Sequence, residues 1–565
     1  MKQIYNRSLI YIENATKAVV TATERDPQSP YYGKPRNIYG LFEAGLTGLA
    51  YIGYTVMAYA CPDSVFYRKK DVLDTTKALC FGVDELLHED GTGDLLISNF
   101  RQPEYFNFPV ICDSYRFMSA LPDPTEEEKE VTEMIYHCVE RASEGLLSSG
   151  FHTPNHRWVH TAALFYAYNT LRKKDERFLT LAKKYLAEKI DIDEHGEFSE
   201  RSAGMYSAVS DRALCYIAIE ANMPELFDLI KRNLRLVYQY IETECFIFTQ
   251  NSRRKDKGEV GSDTLFDFER YTDICLIAYA NTKDPEFLQI LLAAEAKRRE
   301  GKPFYCSVSV FMNYPELLEE LPDLAALPPL EETFHAFYPK SGIVRAKTDD
   351  AVYSIVAKNP VFFHATVGGI TVSARMCSSF FAIAQFLPDV IEKIGEKQYR
   401  MRFHAAQDYK LPFDNPPEGS ENYWSMDYKS RKGISRCEYG YTVDFTFTET
   451  GVRIHTVTDG TEHVPFKLEF TVTPGVYVRA GNAMTLANAG SFLCADSGDI
   501  QLCNYAGDSI TIKDAFAKHF YHKDMRGSIP SPSNKFMIYL TDFSPVDRTV
   551  EIVCEKERKW DFFWN

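Results

Sequence analysis

The sequence has no excess of basic charge: Lys and Arg total 63 against 79 Asp and Glu, a formal net charge of −16. A general nucleic-acid binder needs a broad cationic surface to displace counterions, so the balance argues against that class. A local basic cleft can still receive an anionic substrate. Close cysteine pairs of the CxxC kind are missing. The 13 cysteines are scattered and read as reduced, mostly buried thiols of a cytoplasmic protein. No secretory leader is legible. Met1-Lys2-Gln3-Ile4-Tyr5-Asn6-Arg7 runs into a polar-interrupted helix with no small-residue cleavage site. One uncharged segment, residues 44–62, approaches membrane-span length. Gly45, Gly48, Gly53, Thr47 and Thr55 interrupt it, which favours a buried helix over a span. Gly91-Thr92-Gly93 has neither the preceding strand nor the lysine of a phosphate loop, so nucleotide binding there is rejected. No membrane or nucleic-acid partner is expected, and no exact repeat period is visible.

What is present is an ordinary globular composition, 45% hydrophobic and 25% charged over 565 residues, too long for a single core. Tyr (35) and Phe (39) dominate the aromatics, with 4 Trp. Tyr packs in cores, but it also lines carbohydrate clefts, stacking on a sugar face while its hydroxyl bonds to the sugar. Apolar residues recur at helix spacing through 39–61, 125–147, 157–172, 177–188, 203–221, 224–243, 267–281 and 285–298. Thr125 with Glu128 predicts a capping box, and Ser148-Ser149-Gly150 a stop. Helical hairpins that must bury their inner faces can do so as a closed or nearly closed ring. From 335 the pattern becomes β, in runs such as 341–346, 351–356, 451–457, 468–472, 510–512, 536–540 and 550–553, which predict a large antiparallel sandwich. One helix is expected at 379–395. The Pro-rich stretch 321–330 is the linker, so the expected domains are 1–330, helical, and 331–565, β.

Five segments carry side chains suited to chemistry. The first is 151–160, where Asn155, His156 and Arg157 fall as a loop becomes a helix. Backbone N–H groups there favour an anion, Asn donates to a carboxylate, and His serves as base or donor. The second is 196–212, with Tyr206 in the first turn of a helix and Arg201 and Arg212 near in sequence, a setting for a Tyr that exchanges protons. The third is the basic run holding Arg253 and Arg254, suited to bidentate carboxylate or sulfate binding. The fourth is the loop of Asn99, Arg101 and Gln102, which could contact a sugar acid. The fifth is His364 in an apolar strand before Gly368-Gly369, with a further polar-aromatic patch at His404, Asp408 and Trp424. A divalent metal held by His364, His404 and Asp408 is conceivable, although no compact ligand spacing supports it.

With these segments in place the chain resembles the heparinase II/III-like and alginate-lyase-like polysaccharide lyases. The resemblance implies an incomplete (α/α) toroid followed by an antiparallel β-sandwich. Asn155-His156, Tyr206 and His364 occupy the family's order of Asn or Asn-His at a helix start, Tyr further along the toroid, and His from the sandwich. The family's usual Asn-Asn-His is Pro154-Asn155-His156 here. The implied activity is β-elimination at a 4-linked uronate in an acidic oligo- or polysaccharide, without an organic cofactor. Asn155, with His156 or an Arg, would neutralise the carboxylate. Tyr206 would be the acid, and the base as well if both steps share a face. His364 or His156 would be a separate base. Arg157, Arg201, Arg253, Arg254, Asn99, Arg101 and Trp424 are the substrate-binding candidates. Two other readings stay open. One is a helical-ring glycoside hydrolase drawing two carboxylates from Glu197, Glu200, Asp211, Asp263 and Asp267. The other is a non-catalytic carbohydrate-binding protein.

Overall fold

The computed structural model describes residues 1–36, 47–94, 101–242, 246–257, 266–298, 304–319, 322–523 and 525–556, with the backbone alone for Thr47, Arg101 and Gln102. These divide into two compact units, one of residues 1–256 and 266–330, the other of Lys257 and 331–556.

The first unit is helical: α1 (Lys2–Ala22), α2 (Thr47–Ala60), α3 (Lys70–Leu86), α4 (Phe108–Ser119), α5 (Glu126–Ser148), α6 (Pro154–Thr170), α7 (Glu176–Ala187), α8 (Tyr206–Glu220), α9 (Leu226–Gln239), α10 (Thr272–Thr282), α11 (Glu286–Ala296) and α12 (Val308–Asn313). A short ribbon, β1 (Gly93–Asp94) with β2 (Arg101–Gln102), precedes α4. Five hairpins run α2/α3, α4/α5, α6/α7, α8/α9 and α10/α11. The first members pack on one another in sequence, α2 on α4, α4 on α6, α6 on α8, α8 on α10, and α12 and α1 continue from α10 back to α2. This is the toroid arrangement, with α3, α5, α7, α9 and α11 outside. An inner helix is touched on several sides, so α6 buries Trp158, Ala162, Ala163, Leu164 and Ala167 around most of its circumference.

The predicted capping box is present at the start of α5. Thr125 Oγ1 accepts from the Glu128 N–H (3.2 Å), and the Glu128 carboxylate accepts from the Thr125 N–H (2.7 Å). Glu128 also accepts from Tyr59 Oη (2.6 Å) and from Arg68 Nε (2.8 Å). Burial raises its pKa, but Arg68, Tyr59 and Thr125 outweigh that and hold it down at about 2. Hairpin packing is tight enough to require glycine. A Cβ on Gly145, inside α5, would meet the carbonyl oxygen of Gly91 at 2.4 Å, where the loop crosses with Gly91 in the left-handed region (φ +75°).

The second unit holds β3 (Phe334–Tyr338), β4 (Ile343–Lys347), β5 (Ala351–Val356), β6 (Val361–Val367), β7 (Ile370–Ser378), β8 (Ala384–Gln385), β9 (Glu392–Gly395), β10 (Gln398–Lys410), β11 (Gly433–Phe447), β12 (Gly451–Gly460), β13 (Pro465–Val472), β14 (Tyr477–Ala480), β15 (Ala483–Leu486), β16 (Phe492–Cys494), β17 (Ile500–Cys503), β18 (Ser509–Lys513), β19 (Phe536–Phe543) and β20 (Asp547–Glu555). One sheet has the order β16-β19-β13-β7-β6-β5-β4-β3, with β8 beside β7. The other runs β15-β14-β17-β18-β20-β12-β11-β10-β9. All pairs are antiparallel except β16 with β19. Between the sheets lies one apolar core that includes Ile355, Phe363, Met376, Phe470, Phe445 and Ile552.

The helix expected at 379–395 is absent. Phe381 and Ala382 take left-handed φ values of 48° and 63°, which stops a right-handed helix at once. The segment instead forms β8 and β9. The buried-helix reading of 44–62 holds for α2, while residues 44–46 lie outside the described residues. No helix among the described residues is long and apolar enough to cross a membrane. All twelve described cysteines are free thiols.

Candidate active site

Two helix starts and one loop bring the candidate side chains of the helical unit together. Thr153, Pro154 and Asn155 open α6, with Pro154 at the first position, where a missing N–H costs nothing. Tyr206 opens α8, its N–H donating to Ser202 Oγ (3.1 Å). The loop 249–257 lies beside both.

Glu200 and Arg254 tie these parts together. The Glu200 carboxylate accepts from the Asn155 backbone N–H (3.1 Å) and from Arg254 Nη1 in a short ion pair. Burial raises the Glu200 pKa, opposed by Arg254 and the Asn155 N–H. The Arg254 guanidinium lies over the Tyr206 ring, 4.3 Å from its centre. One acidic side chain therefore anchors the start of α6, and its partner puts a permanent cation against the phenol at the start of α8.

Asn155 is 1% exposed. Its Oδ1 accepts from Thr153 Oγ1 (3.0 Å), while Nδ2 has no hydrogen-bond partner. A buried amide held by its oxygen with its N–H₂ unspent is a donor ready for an anion. His156 sits against Phe106 (4.8 Å between centres, 86° between planes) and His152 (4.6 Å, 79°), and its Nδ1 lies 2.6 Å from Tyr105 Oη. Burial, followed by the charges of His152 and Arg254, lowers its pKa to about 4, so the ring is neutral at pH 7. Burial raises Tyr105 to about 12. A phenol that keeps its proton donates to imidazole nitrogen, the better acceptor. On that assignment Nδ1 accepts and the proton sits on Nε2. His156 is then poised as a neutral donor rather than as a base.

Next to this cluster, Glu197 is 4% exposed. Its Oε2 accepts from Tyr240 Oη (2.7 Å) and Asn251 Nδ2 (3.2 Å), and Oε1 has no partner. Burial raises its pKa to about 7. Asp211, further along α8, is fully buried with neither oxygen hydrogen-bonded, and burial raises its pKa strongly. Asp267 caps the turn 268–271, and Asp263 lies outside the described residues.

The remaining candidates scatter. Arg157 has both terminal nitrogens engaged, by Glu188 (2.9 Å) and Asp191 (3.0 Å), leaves Nε without a partner and stacks on Trp158 at 4.2 Å, so it braces α6 against the loop after α7. Arg253 donates to the Ser199 carbonyl (3.3 Å) and is exposed. Arg201 is half-buried with a left-handed φ of 53°, its pKa lowered by burial and then by Arg253. Arg101 lies on β2, paired with Asp94, and Asn99 falls outside the described residues. In the β unit, Trp424 is 87% exposed on the long β10–β11 connection, against Tyr423. His364 lies on β6, cross-strand from Ser354 and Ser373. Burial and the Arg345 charge lower its pKa to about 3, so it too is neutral. The suggested metal set is not assembled. His364 and the pair His404 and Asp408 are on different sheets, His404 faces Glu438 (3.7 Å), and Asp408 faces Lys410 and Arg436. Among the described residues no three His, Cys, Asp or Glu side chains are grouped to hold a metal.

Sequence reasoning passed over Tyr105 and Phe106, which orient His156 from 50 residues upstream, and it read Glu200 only as a hydrolase carboxylate. The aromatic pair in a polar loop was visible. Its partner was not, because nothing local connects it to residue 156.

The helical unit also contains a partly open cavity of about 950 Å³, lined by Tyr11, Tyr54, Phe106, Arg116, Arg212 and Phe266 among others. Phe106 thus faces both His156 and this space.

No protein-family model and no curated protein matches the chain. Solved structures do. A Paenibacillus xanthan lyase is similar at a TM-score of 0.58 and 7% identity over 99% of this chain and 57% of that one. The Streptomyces coelicolor A3 chondroitin AC lyase, solved with chondroitin sulphate, is similar at 0.54 and 10% over 98% and 79%. A heparinase III is similar at 0.52 and 10% over 98% and 85%. The chain therefore spans little more than half of the xanthan lyase. At these identities the likeness is one of fold: a helical toroid followed by a two-sheet β region, the fold of these polysaccharide lyases.

Proposed function

We propose that this protein is a polysaccharide lyase that cleaves a 4-linked uronic-acid glycoside by β-elimination. The observation that carries the reading is the linked set Asn155–Glu200–Arg254–Tyr206. It couples an unspent buried amide donor to a phenol under a guanidinium. The fold shared with lyases of acidic polysaccharides supports the same class.

The chemistry asks for three things. The C5–H of a uronate becomes acidic only when its carboxylate is neutralised and the enolate-like state is stabilised. Asn155 Nδ2 and the Nε2–H of His156 are donors for that task. The C5 proton must then go to a base while O4 leaves and takes a proton. Tyr206 gives the proton to O4. It also receives the C5 proton when C5–H and O4 lie on one face of the sugar. The C4–O4 bond breaks as the C4–C5 double bond forms. Arg254, with Arg201 and Arg253 near it in the fold, would hold the acidic groups of the chain.

Near-ultraviolet absorbance is followed during incubation with alginate, glucuronan, glycosaminoglycan and rhamnose-capped glucuronate substrates. A rising signal is expected with at least one, and it identifies the uronate. Tyr206→Phe should lower that rate by about a hundred- to ten-thousandfold. New reducing ends without absorbance would instead indicate hydrolysis, with Glu197, near pKa 7, as its acid. Saccharide binding without either would leave a binding protein.

A further inference from the structure

A second site is built into the β unit, on the face of the first sheet turned away from the sandwich core. Register puts Arg375 of β7 opposite Glu469 of β13, and Glu469 opposite Tyr539 of β19, with Lys467 two residues before Glu469 on the same face. These side chains are buried: Arg375 is 3% exposed, Lys467 2% and Glu469 0%.

The donors and acceptors do not balance. Glu469 is saturated: Oε1 takes a short bond from Arg375 Nε, and Oε2 accepts from Lys467 Nζ (3.0 Å) and Ser531 Oγ (2.9 Å). Lys467 is saturated too, donating also to the His522 carbonyl (3.2 Å) and Ser528 Oγ (3.1 Å). Arg375 is not. Only its Nε is engaged, and both terminal nitrogens, Nη1 and Nη2, are buried without a hydrogen-bond partner. Among the described residues the cluster holds two cations, Arg375 and Lys467, and one anion, Glu469. A guanidinium buried with its end fork unspent is among the costlier arrangements a protein can keep, and that fork matches two oxygens of an oxyanion.

We propose that the end fork of Arg375, beside Lys467, is a binding site for one small oxyanion of the carboxylate, sulfate or phosphate type, which offsets the excess positive charge of the buried cluster. The site uses none of the residues assigned to elimination and stands whether or not the lyase reading does.

The test uses the whole chain. Purified protein is desalted exhaustively into a buffer of chloride and amine, then unfolded in urea, and the released anions are measured by ion chromatography. In parallel, equilibrium dialysis of native protein follows uptake of labelled phosphate, sulfate and acetate separately. The expected result is about one equivalent of one oxyanion per chain, released on unfolding or taken up saturably; which of the three binds identifies its class. Arg375→Lys keeps the charge but removes the fork, and should weaken uptake at least tenfold while far-ultraviolet circular dichroism stays unchanged. No released anion together with no saturable uptake by wild-type protein would overturn the proposal. So would uptake that Arg375→Lys leaves intact in a folded protein.

Discussion

At the scale of the residue, function in this protein depends on how side chains constrain one another. Tyr206 is one tyrosine of 35; the guanidinium over its ring and the acid that holds that guanidinium set it apart. Arg254→Lys keeps a charge but loses the planar stack and the fork. It should lower kcat by about tenfold or more, with a smaller change in KM, measured by the absorbance assay. Tyr105→Phe removes the hydrogen bond that fixes the His156 tautomer. A neutral hydrogen bond contributes about 0.5–1.5 kcal/mol, so kcat should fall by up to about tenfold, and imidazole nitrogen NMR shifts should show mixed tautomers. Unchanged shifts would exclude the proposed donor role of His156. Asn155, His156 and Tyr206 were legible as candidates from their residue types and their places at helix starts. The link through Glu200 was not, because it bridges residues 45 apart in sequence.

Elements were legible where the local signal was complete. The α5 start carries Pro124, a capping Thr and three acidic first-turn residues, one of them the box partner Glu128, and it forms as predicted. Helix α3 went unread because its inward face includes Thr75, Thr76, Cys80 and Gly82, which do not register as an apolar stripe. The reading at 379–395 failed for the opposite reason. Its Phe, Ile, Ala and Leu residues match helix spacing, but β8 pairs with β7 and left-handed residues at 381 and 382 turn the chain. Thr125→Ala should cost about 1 kcal/mol in urea unfolding. Glu128→Ala should cost about 3 kcal/mol, because it also abandons Arg68 and the Tyr59 hydroxyl. Equal effects of the two would mean that the box alone matters. Gly145→Ala should destabilise more than the helix propensity of Ala would restore, since the new methyl meets Gly91 backbone.

At the scale of the whole molecule, the two units should respond to acid in opposite ways. In the helical unit, burial raises Glu104, Asp113, Glu197 and Glu269 to about 7 and lowers His156 and His160 to about 4. A carboxyl raised in the folded state contributes stability that is full below its unfolded value and is lost as pH rises through about 4.5–7. A histidine lowered in the folded state loses stability as pH falls from about 6.5 to 4. Four carboxyls against two histidines give a net gain for this unit as pH falls from 7 to 4.5. In the β unit, burial lowers His335 to about 4 and His364 to about 3, so that unit should lose stability below pH 6.5. Calorimetry at pH 5.5 and 7.5 should show one transition moving up and the other down; parallel movement would contradict the assignment of these groups.

The sequence by itself determined the order of a helical region followed by a β region, most helix positions, the free cysteines and the residue types able to act on a sugar acid. All of these follow from periodicity, capping and composition, which act over a few residues. Tertiary structure alone decided which candidates are available. Both terminal nitrogens of Arg157 are engaged by Glu188 and Asp191, His156 is kept neutral by burial and oriented by Tyr105, and Asn155 keeps Nδ2 without a partner while Glu200 accepts from its backbone N–H. Whether a polar group is spent or unspent depends on what lies opposite it after folding, and those partners come from 30 to 50 residues away.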